Sequence, residues 1–329
     1  MIVGGVEVEN PLFLAPMAGV TVSAVRRMFR RLGVSLTHSE MVSSTGMIYG
    51  GEKTSHMAEY TAEEEPIVLQ LFDGDADRLC KSAELCLKER SYAAFSINMA
   101  CPMPKVTKRG AGSALLKTPG IAAAMVRELK KFGLPVWPKI RKILPDGKDF
   151  SLDTLQFTEM LIENGADNVA IHGRTPAQRY EGVSDKDEVL RVASAFPSMI
   201  TASGDVFSAQ DAEFYIKNGC AAVLLARGAV ANPFTAVQSL RVLGYNDNLS
   251  GDDISLERRA ALLGGLANDL KVIHGEHLAL VLVKRFAPGI FKECPGISEF
   301  KRALAAVRDW ESMSGLLSGW RSYFERGIV

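Results

Sequence analysis

Four things are scarce or missing in this 329-residue chain, and each closes off a class of protein. Long apolar runs are absent. The longest, such as Leu278 to Val283, are far too short to span a bilayer, and no basic stretch precedes an apolar one near the start, so the chain is expected to act in the cytoplasm, away from membranes. Excess charge is absent, with 38 Lys and Arg against 38 Asp and Glu; this removes any bulk electrostatic case for a nucleic-acid partner but leaves room for a local basic face. Paired cysteines are absent too: Cys80, Cys86, Cys101, Cys220 and Cys294 contain no CxxC, which fits a reducing compartment and argues against a structural metal site. Finally, no GxGxxG follows the first apolar run, which argues against a doubly wound dinucleotide-binding sheet.

What the chain has is a regular alternation. Short runs rich in Val, Ile, Leu and Phe stand at 12–16, 36–41, 67–72, 94–98, 136–141, 168–172, 199–203 and 222–226, the number of strands that a closed (β/α)8 barrel requires. The segments 23–31, 76–88, 120–131, 152–163, 186–195 and 209–218 carry apolar residues at helical spacing, and Gly33, Gly133, Gly165 and Gly219 suit helix C-caps. After Leu243 the strand pattern stops at a polar, turn-rich stretch over 244–253, and Ser255 with Glu257 can start a helix. The expected organisation is an α/β TIM barrel over 1–243 followed by a helical domain over 244–329, its helices broken at Pro288-Gly289 and Pro295-Gly296.

In such a barrel, ligands bind where the strands end. The strand ends here supply Pro16, Met17 and Ala18; Gln70; Asn98 and Cys101; Lys139 and Arg141; His172 and Arg174; Ser203, Gly204 and Asp205; and Ala226, Arg227 and Gly228. The last two groups match the usual phosphate site of phosphate-binding barrels, with glycine amides and an Arg fork. Lys139 is suited to offset negative charge on a reduced ring system. Cys101 leaves a buried run for a basic, glycine-rich loop that begins with Pro102 and Lys105 and ends at Gly110-Ala111-Gly112. A structural cysteine rarely needs such a loop, so proton exchange with a bound molecule is the better reading. His172 has no partner at metal-ligand spacing in His38 or His56, so no metal is expected.

Taken in order, Ala15-Pro16-Met17-Ala18-Gly19, Ser39-Glu40-Met41, Gln70-Leu71-Phe72, Asn98-Met99-Ala100-Cys101-Pro102, His172-Gly173-Arg174-Thr175 with Gln178, and Ser203-Gly204-Asp205 resemble the tRNA-dihydrouridine synthases. The resemblance implies an FMN enzyme that reduces the C5=C6 bond of a tRNA uridine, with NADPH or NADH as reductant. It further implies that Pro16, Met17 and Ala18 line the isoalloxazine, that Gln70, Lys139 and His172 meet its ring, and that Ser203, Gly204, Asp205, Ala226, Arg227 and Gly228 hold the phosphate. Cys101 is then the general acid toward C5, and Asn98, Lys105, Arg174, Lys284 and Arg285 bind the RNA. A monomer acting on tRNA is expected.

The chain departs from the family pattern at Ser96, where Asp is usual, at Ala100, where Gly is common, and at Pro138 inside a strand. It also lacks a Gly within Lys142-Ile143-Leu144 and an aromatic within 184–187, and has Phe234 where Trp is common. Two other readings share these residues: an FMN oxidoreductase acting on a small pyrimidine or alkene, and a barrel that binds FMN or RNA without turnover. From Lys271 onward the basic residues are Lys271, Lys284, Arg285, Lys292, Lys301, Arg302, Arg308, Arg321 and Arg326, and the acidic ones Glu276, Glu293, Glu299, Asp309, Glu311 and Glu325. The difference leaves this stretch net basic and suits it to an RNA backbone.

Overall fold

A computed structural model describes residues 1–245 and 254–324. Most of the turn-rich stretch 244–253, with Glu325 and Arg326, lies outside the described residues. Eight parallel strands form the barrel: β1 (Leu12–Leu14), β2 (Leu36–His38), β3 (Ile67–Phe72), β4 (Ala94–Met99), β5 (Val136–Arg141), β6 (Val169–His172), β7 (Ile200–Ser203) and β8 (Ala222–Leu225). Each pairs with the next, and β8 pairs with β1 in the register Val223↔Leu12, closing the ring. The strands are almost wholly buried because helices cover the outside while side chains fill the lumen, which is why they read as continuous apolar runs without alternation.

All eight expected strands are present, and the helices Ser23–Arg31 and Lys186–Ala195 keep their expected bounds. Gly33, Gly133, Gly165 and Gly219 all sit at positive φ just past helix ends, the conformation a glycine takes at little cost. Pro138 lies inside β5, yet the strand pairs on both sides, with Ile97↔Pro138 toward β4 and a ladder toward β6 from Lys139↔Ala170 onward. An N-terminal hairpin, Ile2–Val3 against Val6–Glu7, is an addition to the expected elements. Its Val3 and Val6 join Phe13, Val68 and Trp137 in a cluster inside the barrel, and Trp137 Nε1 donates to Gly4 O at 2.9 Å. This end of the lumen is thus filled, leaving the opposite end, where the strands finish, for a ligand.

The C-terminal part is helical, with one addition. The helix Leu256–Ile290, capped by Ser255 accepting from the Arg258 amide, carries Pro288-Gly289 in its last turn and ends one residue beyond them, and a further break not expected from the sequence falls at Gly275 (φ 78°, ψ 169°). Gly289 has a packing role: a Cβ there would stand 2.5 Å from Val230 O, so its lack of a side chain lets this helix meet the short helix Arg227–Ala231 that follows β8. Arg31 and Asp269 (2.9 Å) also tie the long helix to the barrel helix Ser23–Arg31. No helix among the described residues is long and apolar enough to cross a membrane.

Candidate active site

A cavity of about 940 Å³ opens at the C-terminal end of the barrel. It is walled by Pro16, Met17 and Ala18 after β1, Asn98 and Cys101 after β4, Lys139 and Arg141 in β5, His172 in β6, Ser203 to Asp205 after β7, and Ala226 to Gly228 after β8. Lys105 and Arg285 reach it as well, together with Lys292 and Lys301 from the C-terminal helices. Fifteen of the eighteen residues to which the resemblance gives a role therefore face one space. Three do not. Gln70 is fully buried beneath the rim, Arg174 is buried behind it, and Lys284 Nζ is committed to Val307 O at 2.6 Å.

The Cys101 loop is fixed from three sides. Asn98 Oδ1 accepts from the amides of Ala100 (3.2 Å) and Cys101 (3.0 Å). Arg141 Nε donates to Ala100 O (2.8 Å), and the Ser113 amide donates to Cys101 O (3.0 Å). Gly112 (φ 60°) allows this last closure, since a Cβ there would lie 2.6 Å from Cys101 O. Behind Asn98, Gln70 Oε1 accepts from Asn98 Nδ2 (2.9 Å) and Gln70 Nε2 donates to Ser96 Oγ (3.0 Å). Gln70 thus orients Asn98, and Asn98 orients the loop.

Electrostatically, the cavity is basic with little to neutralise it. Lys139 is half-buried, and its ammonium has no hydrogen-bond or ion-pair partner among the described residues; burial, reinforced by Arg141 and opposed by Cys101, pushes its pKa down to about 7. His172 is pushed down to about 2 by burial and then by Lys139, Arg141, Arg174 and Arg227, so it is neutral at physiological pH. Asp205 is the exception. Burial alone would raise its pKa, but hydrogen bonds from Arg174 and the Ser184 amide, with Arg227 nearby, hold it below the usual carboxylate range. Its carboxylate is taken up by bonds within the protein, so the contact expected between Asp205 and a phosphate reduces to what its backbone supplies.

Arg141, Lys292 and Lys301, named above without a specific role, also line the cavity, as do Tyr180 and Phe207, which the sequence did not mark. Arg141 carried a usable signal, a cation at a strand end. Tyr180 and Phe207 sit in irregular loops, where no periodicity marks them.

A parallel (β/α)8 barrel with a basic, apolar-walled cavity at its strand ends, a thiol and a low-pKa lysine defines an enzyme of the ligand-binding barrel class. The family model described as dihydrouridine synthase matches residues 13–318, and the chain belongs to that family. It is 30% identical over 328 residues to the probable tRNA-dihydrouridine synthase of Mycobacterium tuberculosis, covering 96% of this chain and 83% of that one. It is 28% identical to tRNA-dihydrouridine synthase B of Vibrio parahaemolyticus, over 93% of this chain and 94% of the relative. To the probable tRNA-dihydrouridine synthase of Aquifex aeolicus it is 33% identical, over 69% and 71%.

Proposed function

We propose that this enzyme reduces a uridine in tRNA to 5,6-dihydrouridine, with FMN held in the barrel cavity, Cys101 as proton donor and the cytoplasm as its location. The observation that carries the reading is the shared cavity. The thiol loop, Lys139 and the glycine and Arg rim face the same space as Arg285, Lys292 and Lys301 from the C-terminal helices. A small free substrate has no use for that last group, whereas an RNA backbone does.

The residues fit a flavin mononucleotide. Pro16, Met17, Ala18 and Leu224 supply apolar wall for a planar ring, and Lys139 brings an unpartnered ammonium suited to its polar edge. At the far side, Ser203 and Gly204 share the cavity wall with Arg227 and Gly228, and the Arg227 guanidinium is suited to a phosphate. Gly228 permits this convergence, because a Cβ there would stand 1.9 Å from Val206 O. When bound, the flavin supplies a hydride for C6 of uracil, with NADPH or NADH as the source of electrons.

The chain's own residues do the rest. Asn98 fixes the loop so that the Cys101 thiol stands at the cavity wall to give a proton to C5. Neutral His172 offers a hydrogen bond without adding charge. Residues 1–243 are the catalytic barrel in this reading and 244–329 the RNA-binding domain, with Lys105 and Arg285 at their junction holding the backbone that flanks an unstacked base. Position-resolved mapping of dihydrouridine in RNA from cells with and without the gene tests the proposal. A site that loses dihydrouridine on deletion and regains it with the wild-type gene supports it; an unchanged map refutes it.

A further inference from the structure

Arg174 follows β6 and is 2% exposed, yet it does not line the cavity. Every N–H of its guanidinium fork has a partner. Nη1 and Nη2 bind Asp205 Oδ1 and Oδ2 at 2.7 and 2.6 Å, Nε donates to Glu181 O (3.0 Å), Nη2 donates to Gly182 O (2.6 Å), and Nη1 lies 3.5 Å from His172 Nε2. A group so saturated has no donor left for a substrate. What it does instead follows from its two sets of partners.

The first is the Asp205 carboxylate, held at φ 52° and also bonded by the Ser184 amide (2.9 Å). Asp205 Oδ1 in turn accepts from Arg227 Nη2 at 2.9 Å. The second is the chain at Glu181 and Gly182, next to Tyr180, whose ring lies under the Arg227 guanidinium at 4.8 Å. One buried Arg therefore fixes both the carboxylate that orients Arg227 and the loop whose ring supports it. Without these supports Arg227, 42% exposed, would keep only the Phe207 ring, 5.6 Å from its guanidinium, to limit the rotamers it samples.

We infer that Arg174 and Asp205 are positioning residues that aim Arg227 at the flavin phosphate, an inference that rests on the phosphate site proposed above. A bidentate fork pays little entropy on binding when it is already held in place, so pre-orientation raises affinity for the phosphorylated flavin only. Affinity for riboflavin, which has the same ring without the phosphate, is untouched.

The test compares FMN and riboflavin dissociation constants of the apoprotein by flavin fluorescence quenching. The wild type should prefer FMN, and Arg227→Met should cut that preference by about tenfold or more, the scale of one charge-assisted hydrogen bond. Asp205→Asn should cut it nearly as far while riboflavin affinity stays at the wild-type value, and the double variant should fall no further than Arg227→Met alone. Tyr180→Ala changes an exposed residue and gives a second route to the same result, a lowered preference with riboflavin affinity kept. An intact preference in Asp205→Asn and Tyr180→Ala overturns the inference, as does a loss of both flavins in equal measure, which marks a structural role. A wild type that binds riboflavin as tightly as FMN overturns the phosphate-site reading itself.

Discussion

FMN binding should draw a proton from solution, and Lys139 is the reason. With no partner among the described residues and a pKa lowered to about 7, its amine is mostly neutral in the free site above that pH. At pH 8 a group with this pKa is about nine-tenths unprotonated, at pH 7 about half and at pH 6 about one-tenth. An acceptor brought against Nζ favours the ammonium and raises the pKa. Lys139 should therefore contribute an uptake of about 0.9 proton per FMN at pH 8, where the phosphate is already dianionic, falling to about 0.1 at pH 6. His172 adds nothing, because its pKa near 2 keeps it neutral throughout.

Calorimetric titration of the apoprotein in HEPES and in Tris reads this directly: the dependence of the binding heat on the ionisation enthalpy of the buffer is the number of protons taken up. Lys139→Met should abolish it. A slope near zero at pH 8 in the wild type, or one that survives in Lys139→Met, refutes the reasoning. The same shift has a stability corollary. The folded-state pKa lies below that of the unfolded chain, so between about pH 7 and pH 10.5 the unfolded chain binds more protons, and the stability of the apoprotein should rise with pH across that window.

Cys101→Ala should leave flavin binding and flavin reduction by NADPH nearly intact while lowering RNA reduction by about two orders of magnitude, and an equal loss of bound flavin would assign the thiol a structural role instead. Replacing Arg285, Lys292 and Lys301 with Ala should weaken RNA binding and flatten its salt dependence by roughly 0.7 to 0.9 in log–log slope per lost phosphate contact; a slope matching the wild type counts against the C-terminal helices as the RNA platform. Lys284→Ala should instead lower the Tm with little change in that slope, because Lys284 Nζ is bonded to Val307 O. Gly228→Ala forces a methyl onto Val206 O and should destabilise the fold by about 1–3 kcal/mol or more, as read by thermal unfolding; an unchanged Tm would mean that the two rim loops part more easily than their packing implies.

The barrel was legible because its strands are buried on both sides: an apolar run bounded by turn residues leaves little choice of element, and eight of them leave little choice of fold. The N-terminal hairpin was not, since Ile2–Val3 and Val6–Glu7 are two residues each and owe their pairing to the barrel floor they plug. The break at Gly275 was hidden for a related reason. The Pro288-Gly289 pair marks the helix end, which falls at Ile290, whereas Gly275, unremarkable in sequence, takes the non-helical φ that breaks the helix internally. In the site, the kinds of residue at the strand ends were readable, whereas their commitments were not. Gln70, Arg174 and Lys284 are polar residues that composition offers to a ligand and that the fold spends on its own backbone and side chains.

The departures from the family pattern look different once those commitments are known. A carboxylate in place of Ser96 would accept the same N–H from Gln70 Nε2 that the Ser96 hydroxyl accepts, so the exchange keeps the bond that orients Gln70 and removes a buried charge that would need pairing. At Ala100 the backbone lies outside the positive-φ region, so the methyl adds no strain where Gly is common, and what matters there is the carbonyl held by Arg141 and the amide held by Asn98. Both changes therefore leave the support of the Cys101 loop intact. At Ser96 and Ala100, then, the exchange changes the residue name while the hydrogen bonds that hold the Cys101 loop stay in place.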